Sequence, residues 1–342
     1  MTWEIMAAKP TFSRQIVVRD DRRLHASGMG VSFDRELAHR SAERLREKRL
    51  ELSALPVPLG RGWEPEQEAM ATVLSEQPTG IGEVIAKLQD VQSILDDLPP
   101  SRANNRVAAF NALYLTITRR VDGALGSGAT SPEFLELLDV EFAKRYFAAL
   151  DLWNHDDDAT PDVWEVLFKR ARDEQVSTLT AAMLGVNAHI NHDLSLALIA
   201  TWNELGPPAD ELPHPDYLLV NEIFYEEIPP LRRKFSTQWQ LEIDDFVGPL
   251  DDWSQRLLVT VTRAHAWDQA MRLWQLRNDP DDFEQARLTM DRAASLVGEW
   301  LIVSDRLVTD TGTVTTGGWS FFRRLFGLRR LFGRRRRMTP AA

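Results

Sequence analysis

The sequence predicts an all-α protein, a single large bundle of about eight helices wrapped around a buried central helix at 176–204. Three observations predict it. Helical apolar spacing recurs between breaks marked by Pro and Gly, and no stretch shows the alternation that a half-buried strand requires. The third is 176–203, VSTLTAAMLGVNAHINHDLSLALIATWN, a Pro-free stretch apolar on nearly every side, which belongs in the middle of a fold. Its sole formal charge is Asp193, within a polar cluster of Asn187, His189, Asn191, His192 and Asp193. That cluster also argues against a membrane span of the same length, because an intramembrane carboxylate alone costs roughly 2.5–3.5 kcal/mol.

Taken in order, residues 1–70 read as an N-terminal extension: a loop around Gly28 and Gly30, a charged surface helix over 34–55, and a Pro/Gly-rich linker, PVPLGRGWEPEQEA, at 56–69. The main domain, 71–305, begins with a helix over 79–98 stopped by Pro99-Pro100. Next come 101–125, opened by Ser101 as N-cap and closed by Gly-Ser-Gly, and 131–153, opened by Ser-Pro. A further helix starts at Val163, Gly206-Pro207-Pro208 stops the central one, and 214–228 is closed by Pro229-Pro230. Two long helices follow at about 250–278 and 281–303, and then a linker and basic tail, 306–342.

At 342 residues and 44% apolar content the chain can bury a large core. It has no Cys, which excludes disulfides, thiolate metal sites and a thiol nucleophile and fits a cytoplasmic location, and no apolar N-terminal run reads as a signal peptide. Removing the eight Arg that follow Thr311 from the net charge of −11 leaves −19 on the rest. An acidic body does not suit nucleic acid. The tail repeats RRLFG at 323–327 and 329–333, and its interleaved Arg, Phe and Leu over 319–337 suit an anionic membrane surface, giving peripheral attachment, or a protein partner.

Phasing the central helix at about 100° per residue divides its polar groups in two. His189, His192 and Asp193 share one face, with Gly185 leaving room a turn before them; Asn187 and Asn191 lie opposite among Met183, Ile190, Leu194 and Leu198. The Asn stripe reads as a structural clamp. The His/Asp stripe can hold a divalent metal if other helices add ligands, or act by acid–base chemistry with Asp193 orienting a His. It can also be a hydrogen-bonded core without chemistry. Glu141 or Asp139, on LLDVEFAKRYFAAL, would complete the site from a facing helix; Glu141 can instead pair with Arg145. The pairs His265/Asp268 and His214/Asp216 read as packing and helix-start features, and His155 with Asp156–Asp158 as a solvated loop.

FNALYLTITRRV (110–121), LDVEFAKRYFAAL (138–150), GVNAHINHDLSLAL (185–198) and DYLLVN (216–221) resemble a mainly actinobacterial family classed as a domain of unknown function, over about 80–305. The resemblance implies an all-helical fold in which these runs belong together, bringing Asn111, Tyr114, Arg145, Tyr146, Asp216 and Asn221 into one polar core, and it lends no activity. The length and helical class also suit the class I terpene synthases, but Ile199 stands where their second metal motif needs Glu, and Asp96-Asp97 runs into Pro99-Pro100. The expectation is an enzyme with a buried His/Asp site, metal-assisted and hydrolytic or metal-free, acting on an apolar or lipid-like small molecule. Its rival is a non-enzymatic helical scaffold recruited by its tail.

Overall fold

The chain folds as predicted, all-α. The computed structural model describes residues 24–25, 32–33, 63–98, 105–209, 212–235 and 259–312; the charged helix expected over 34–55 and the tail at 319–337 lie outside these. The helices are α1 (Gln67–Leu74), α2 (Ile81–Asp97), α3 (Arg106–Leu125), α4 (Pro132–Asn154), α5 (Asp162–Phe168), α6 (Thr178–Ala188), α7 (Leu194–Leu205), α8 (Pro215–Phe235), α9 (259–276) and α10 (Pro280–Gly312). A two-residue antiparallel pair, Leu24–His25 with Ser32–Phe33, is the one departure, in a region read as loop. No helix of the described residues is long and apolar enough to cross a membrane.

α6 and α7 form one rod, joined by a π-helical turn, His189–Asp193, in which the Leu194 amide donates to the His189 carbonyl. α3 packs along α6, α4 along α7, and α10 along α5 and α6. One apolar core forms where α1 to α6 and α10 meet, and a second lies around Leu194, Leu198 and Trp202 of α7 with Trp267 and Ala270 of α9. Trp63 is buried in the first core and its Nε1 donates to the Leu150 carbonyl at 3.0 Å, so packing begins inside the stretch read as a linker.

Three helix starts are capped from elsewhere in the fold. Asp216 accepts from the Thr130 and Ser131 amides at 2.8 and 2.6 Å, satisfying the start of α4, where Ser131 provides no side-chain cap. Asp291 of α10 accepts from the Asp162 and Val163 amides at 3.0 and 2.9 Å, and Asp305 accepts from Ser177 ahead of α6 at 2.8 Å. A carboxylate near the positive end of a helix is also favoured by the dipole. Burial opposes ionisation of Asp216, yet the Thr130 and Ser131 hydrogen bonds hold its carboxyl below the ordinary range. α5 and the central rod are thereby fixed to α10.

Some boundaries differ from expectation. Asn105, not Ser101, caps α3, accepting from the Val107 amide at 2.9 Å and the Ala108 amide at 3.4 Å. α8 continues through Pro229 and Pro230 to Phe235, since proline's fixed φ is compatible with a helix and what it loses is one backbone donor per residue. α10 continues past Val303 to Gly312, into the stretch read as a linker.

Gly185 does not leave open room. A Cβ there would lie 2.1 Å from Cγ of Phe110 and 2.3 Å from its Cδ2, so the ring of α3 occupies the space the glycine vacates. Alanine normally stabilises a helix over glycine by about 0.5–1 kcal/mol. At 185 the sign reverses: Gly185→Ala should cost about 1–3 kcal/mol through overpacking. Gly82, with nothing within 4 Å of its would-be Cβ, serves as control, and Gly82→Ala should be neutral or stabilising in the same denaturant titration.

Candidate functional site

The π turn places three polar side chains against one another in a dry setting. His189, His192 and Asp193 are 3%, 2% and 1% exposed. Asp193 Oδ2 accepts from His189 Nδ1 at 3.0 Å and from Trp164 Nε1 of α5 at 3.0 Å, while Oδ1 accepts from His192 Nδ1 at 2.8 Å. Turns of this kind widen the helix by one residue and recur at functional sites.

The electrostatics follow from that geometry. Burial by itself would raise the Asp193 carboxyl, but its hydrogen bonds to His189 and His192 hold it below the ordinary value of 3.8. An ionised carboxylate only accepts, so the network assigns the Nδ1 protons to both imidazoles. Burial pushes His189 below its usual 6.5, against the opposing pull of Asp193. His189 is therefore neutral at pH 7, with its lone pair on Nε2. That atom is buried and has no hydrogen-bond partner.

His189 lines a cavity of about 40 Å³ bordered by α3, α4, the central rod, α8 and α9. Its walls are mainly apolar. Phe142 stacks on the imidazole with centroids 3.4 Å apart and planes 10° from parallel, and the Tyr114 ring meets it edge-on at 4.4 Å. Asp139, Tyr114 and Arg263 are the other polar residues lining this space. Three buried atoms without geometric partners, the Tyr114 hydroxyl, Asp139 Oδ2 and His189 Nε2, belong to residues that line it. Each leaves a desolvation cost of about 1–3 kcal/mol uncompensated. Desolvation, reinforced by the charges of Asp122 and Glu136, pushes the Asp139 carboxyl up to about 8. It is protonated at neutral pH.

The other predicted residues fall in separate places. Glu141 does not face His189 but pairs with Lys144 at 2.7 Å and Arg145 at 3.7 Å, and Arg145 also donates to the Leu196 carbonyl at 3.0 Å. Asn191 donates to Asn187 Oδ1 at 2.9 Å and Asn187 to the Ala294 carbonyl at 2.8 Å, which is the expected clamp, here on α10. Asn111 donates to the Leu88 carbonyl and to Gln92 Oε1, both at 2.9 Å, and accepts from Tyr146 at 3.3 Å. Asn221 accepts from Arg263 Nε at 2.6 Å. His265 and Asp268 are exposed, as is His155, and His214 stacks on Phe134 at 4.2 Å.

The metal expectation for His189, His192 and Asp193 as one ligand set does not fit this arrangement. Both carboxylate oxygens of Asp193 are spent on His189, His192 and Trp164, and although both imidazoles keep an unpartnered Nε2, His192 does not line the cavity that His189 lines. Among the described residues no group of three or more His, Asp or Glu is arranged to hold a metal ion. Sequence reasoning missed Trp164 and Arg263. Arg263 was legible in principle, since Val259, Arg263, Ala266, Trp267 and Ala270 share the buried stripe of α9.

The fold and site define a class: an all-α bundle whose central helix is interrupted by a π turn, with a small, mainly apolar cavity beside it. Residues 81–304, well over half of the chain, match a family model described as "Family of unknown function (DUF5995)", and the chain belongs to that family. No curated protein matches the chain, and no solved structure does.

Proposed function

We propose that the chain is a metal-free acid–base enzyme acting on a small, mainly apolar molecule, with His189 as general base, Asp139 as general acid and Asp193 holding His189 in orientation. One observation carries the reading. A neutral imidazole anchored by a carboxylate at Nδ1 and carrying an unpartnered Nε2 lines the same cavity as a protonated Asp139 with an unpartnered oxygen. Environments that drive a carboxyl up and an imidazole down in one cavity give an acid and a base both in usable form near neutrality. The Tyr114 hydroxyl, beside Thr118, would hold a polar atom of the substrate. The proposal sets the enzyme in the cytoplasm and assigns 319–337 to an anionic membrane surface or a protein partner, on composition.

A second reading, a helical module with a structural polar core, has its own support in Asp193, which ties α5 to the central rod through Trp164. The two separate in deuterium oxide. Small-molecule extract from the organism's own cells, incubated with the protein, should yield at least one compound that gains deuterium or changes mass. The change should be lost in His189→Gln and Asp139→Asn. Identical extracts with wild type and His189→Gln would leave the structural reading in place.

A further inference from the structure

Arg263 is 1% exposed and lines the cavity, yet among the described residues every group that meets its guanidinium is neutral. Nε donates to Asn221 Oδ1 at 2.6 Å, Nη2 donates to the Tyr217 carbonyl at 2.9 Å, and the guanidinium sits 4.3 Å over the Tyr217 ring. The Tyr217 hydroxyl in turn donates to the Arg263 carbonyl at 2.6 Å, so the side chain is held from two directions. No carboxylate of the described residues lies within ion-pair distance of it. Burial lowers its pKa, but a guanidinium stays charged in proteins. Fully buried arginines are nearly always paired, and an unpaired buried charge is strongly unfavourable. The ring and the two hydrogen bonds orient the cation without neutralising it.

The remaining lining supplies no anion at neutral pH. Asp139 is protonated there, and Asp193, behind His189, is committed to three donors. One fixed positive charge therefore faces a cavity otherwise walled by groups such as Ile117, Leu135, Leu138 and Phe224. A single planar fork with no second cation matches one carboxylate; a dianionic phosphate would leave a net negative charge buried. A cavity of about 40 Å³ has room for roughly three water-sized groups, which sets the scale of the ligand.

We infer that the cavity binds a short-chain monocarboxylate, its carboxylate paired with Arg263 and its hydrocarbon end toward Phe142 and His189. The inference rests on the acid–base reading of the same cavity and names its substrate class. Acetate and propionate, with acetamide and propionamide as neutral isosteres, test it on the full chain. Thermal shift gives affinity, and the Arg263 Nε–H and His189 ring resonances give location. The acids should bind about 10-fold or more tighter than the amides, as expected for a charge-assisted pair. That preference should vanish in Arg263→Gln and survive in part in Arg263→Lys. Should Arg263→Gln fail to fold, the acid-against-amide comparison on wild type decides alone. Equal binding of acids and amides with movement of the His189 resonance overturns the monocarboxylate and keeps the acid–base reading. Acid binding that shifts Arg263 and leaves His189 unmoved does the reverse. No binding of any of the four overturns the monocarboxylate and leaves the acid–base reading to the deuterium test.

Discussion

Asp193→Ala should destabilise the protein by about 3–5 kcal/mol, the largest loss expected of any single truncation in the central rod. The carboxylate is 1% exposed and accepts from His189, His192 and Trp164, so its removal strands three buried donors at once. Each stranded donor costs about 1–3 kcal/mol, less whatever relaxation recovers. Asp193→Asn should cost less, because one oxygen still accepts and an imidazole facing the new amide can shift its proton from Nδ1 to Nε2. That shift would convert a base into a donor. The pH dependence has a definite sign. Asp193 is held below its ordinary 3.8, so its contribution is present above that value and is lost as pH falls through the lowered one. The gap between wild type and Asp193→Ala in urea titrations should therefore narrow in acid. His189 acts in the same direction: held below 6.5, it lets the unfolded chain gain a proton first, so stability falls as pH drops below 6.5.

Much of the frame was legible because helix breaks are local chemistry. Pro and Gly bound most helices near their expected ends, and the His189/Asp193 pair follows from spacing on one helix. What phasing at 100° could not give is the π turn, across which His192 joins His189 on the carboxylate of its neighbour Asp193. Contacts set by distant residues were out of reach as well. The sequence marks Gly185 as small, but only the approach of α3 puts the Phe110 ring there. Trp164 reaches Asp193 across 29 positions. Of the two roles the sequence offered Glu141, the local one holds: it pairs with Arg145, as spacing allows, and with Lys144. The quoted runs at 110–121, 138–150 and 185–198 do converge: Phe110, Tyr114, Asp139, Phe142 and His189 all line the one cavity.

Asp139 gives the second large effect, and it runs against stability. Its carboxyl is buried, has an unpartnered oxygen, and is driven up to about 8 from an ordinary 3.8. Below about pH 4 the group is protonated in both states and costs nothing of this kind. As pH rises from there the unfolded chain releases a proton that the folded one keeps, so stability declines until about pH 8 and then levels off. At about 1.4 kcal/mol per pH unit, the penalty at pH 7 is on the order of 4 kcal/mol. Asp139→Asn, close in shape and without a titrating proton, should remove the penalty.

The central claim is that the polar atoms around the cavity form a site held at the expense of stability. The most direct test is the unfolding free energy of wild type and Asp139→Asn measured from pH 4 to pH 9. The two should nearly coincide at pH 4, and the Asn form should become the more stable by several kcal/mol at pH 8. An Asn form less stable than wild type across the whole range, with a constant gap, would make Asp139 a member of a structural network and contradict the account.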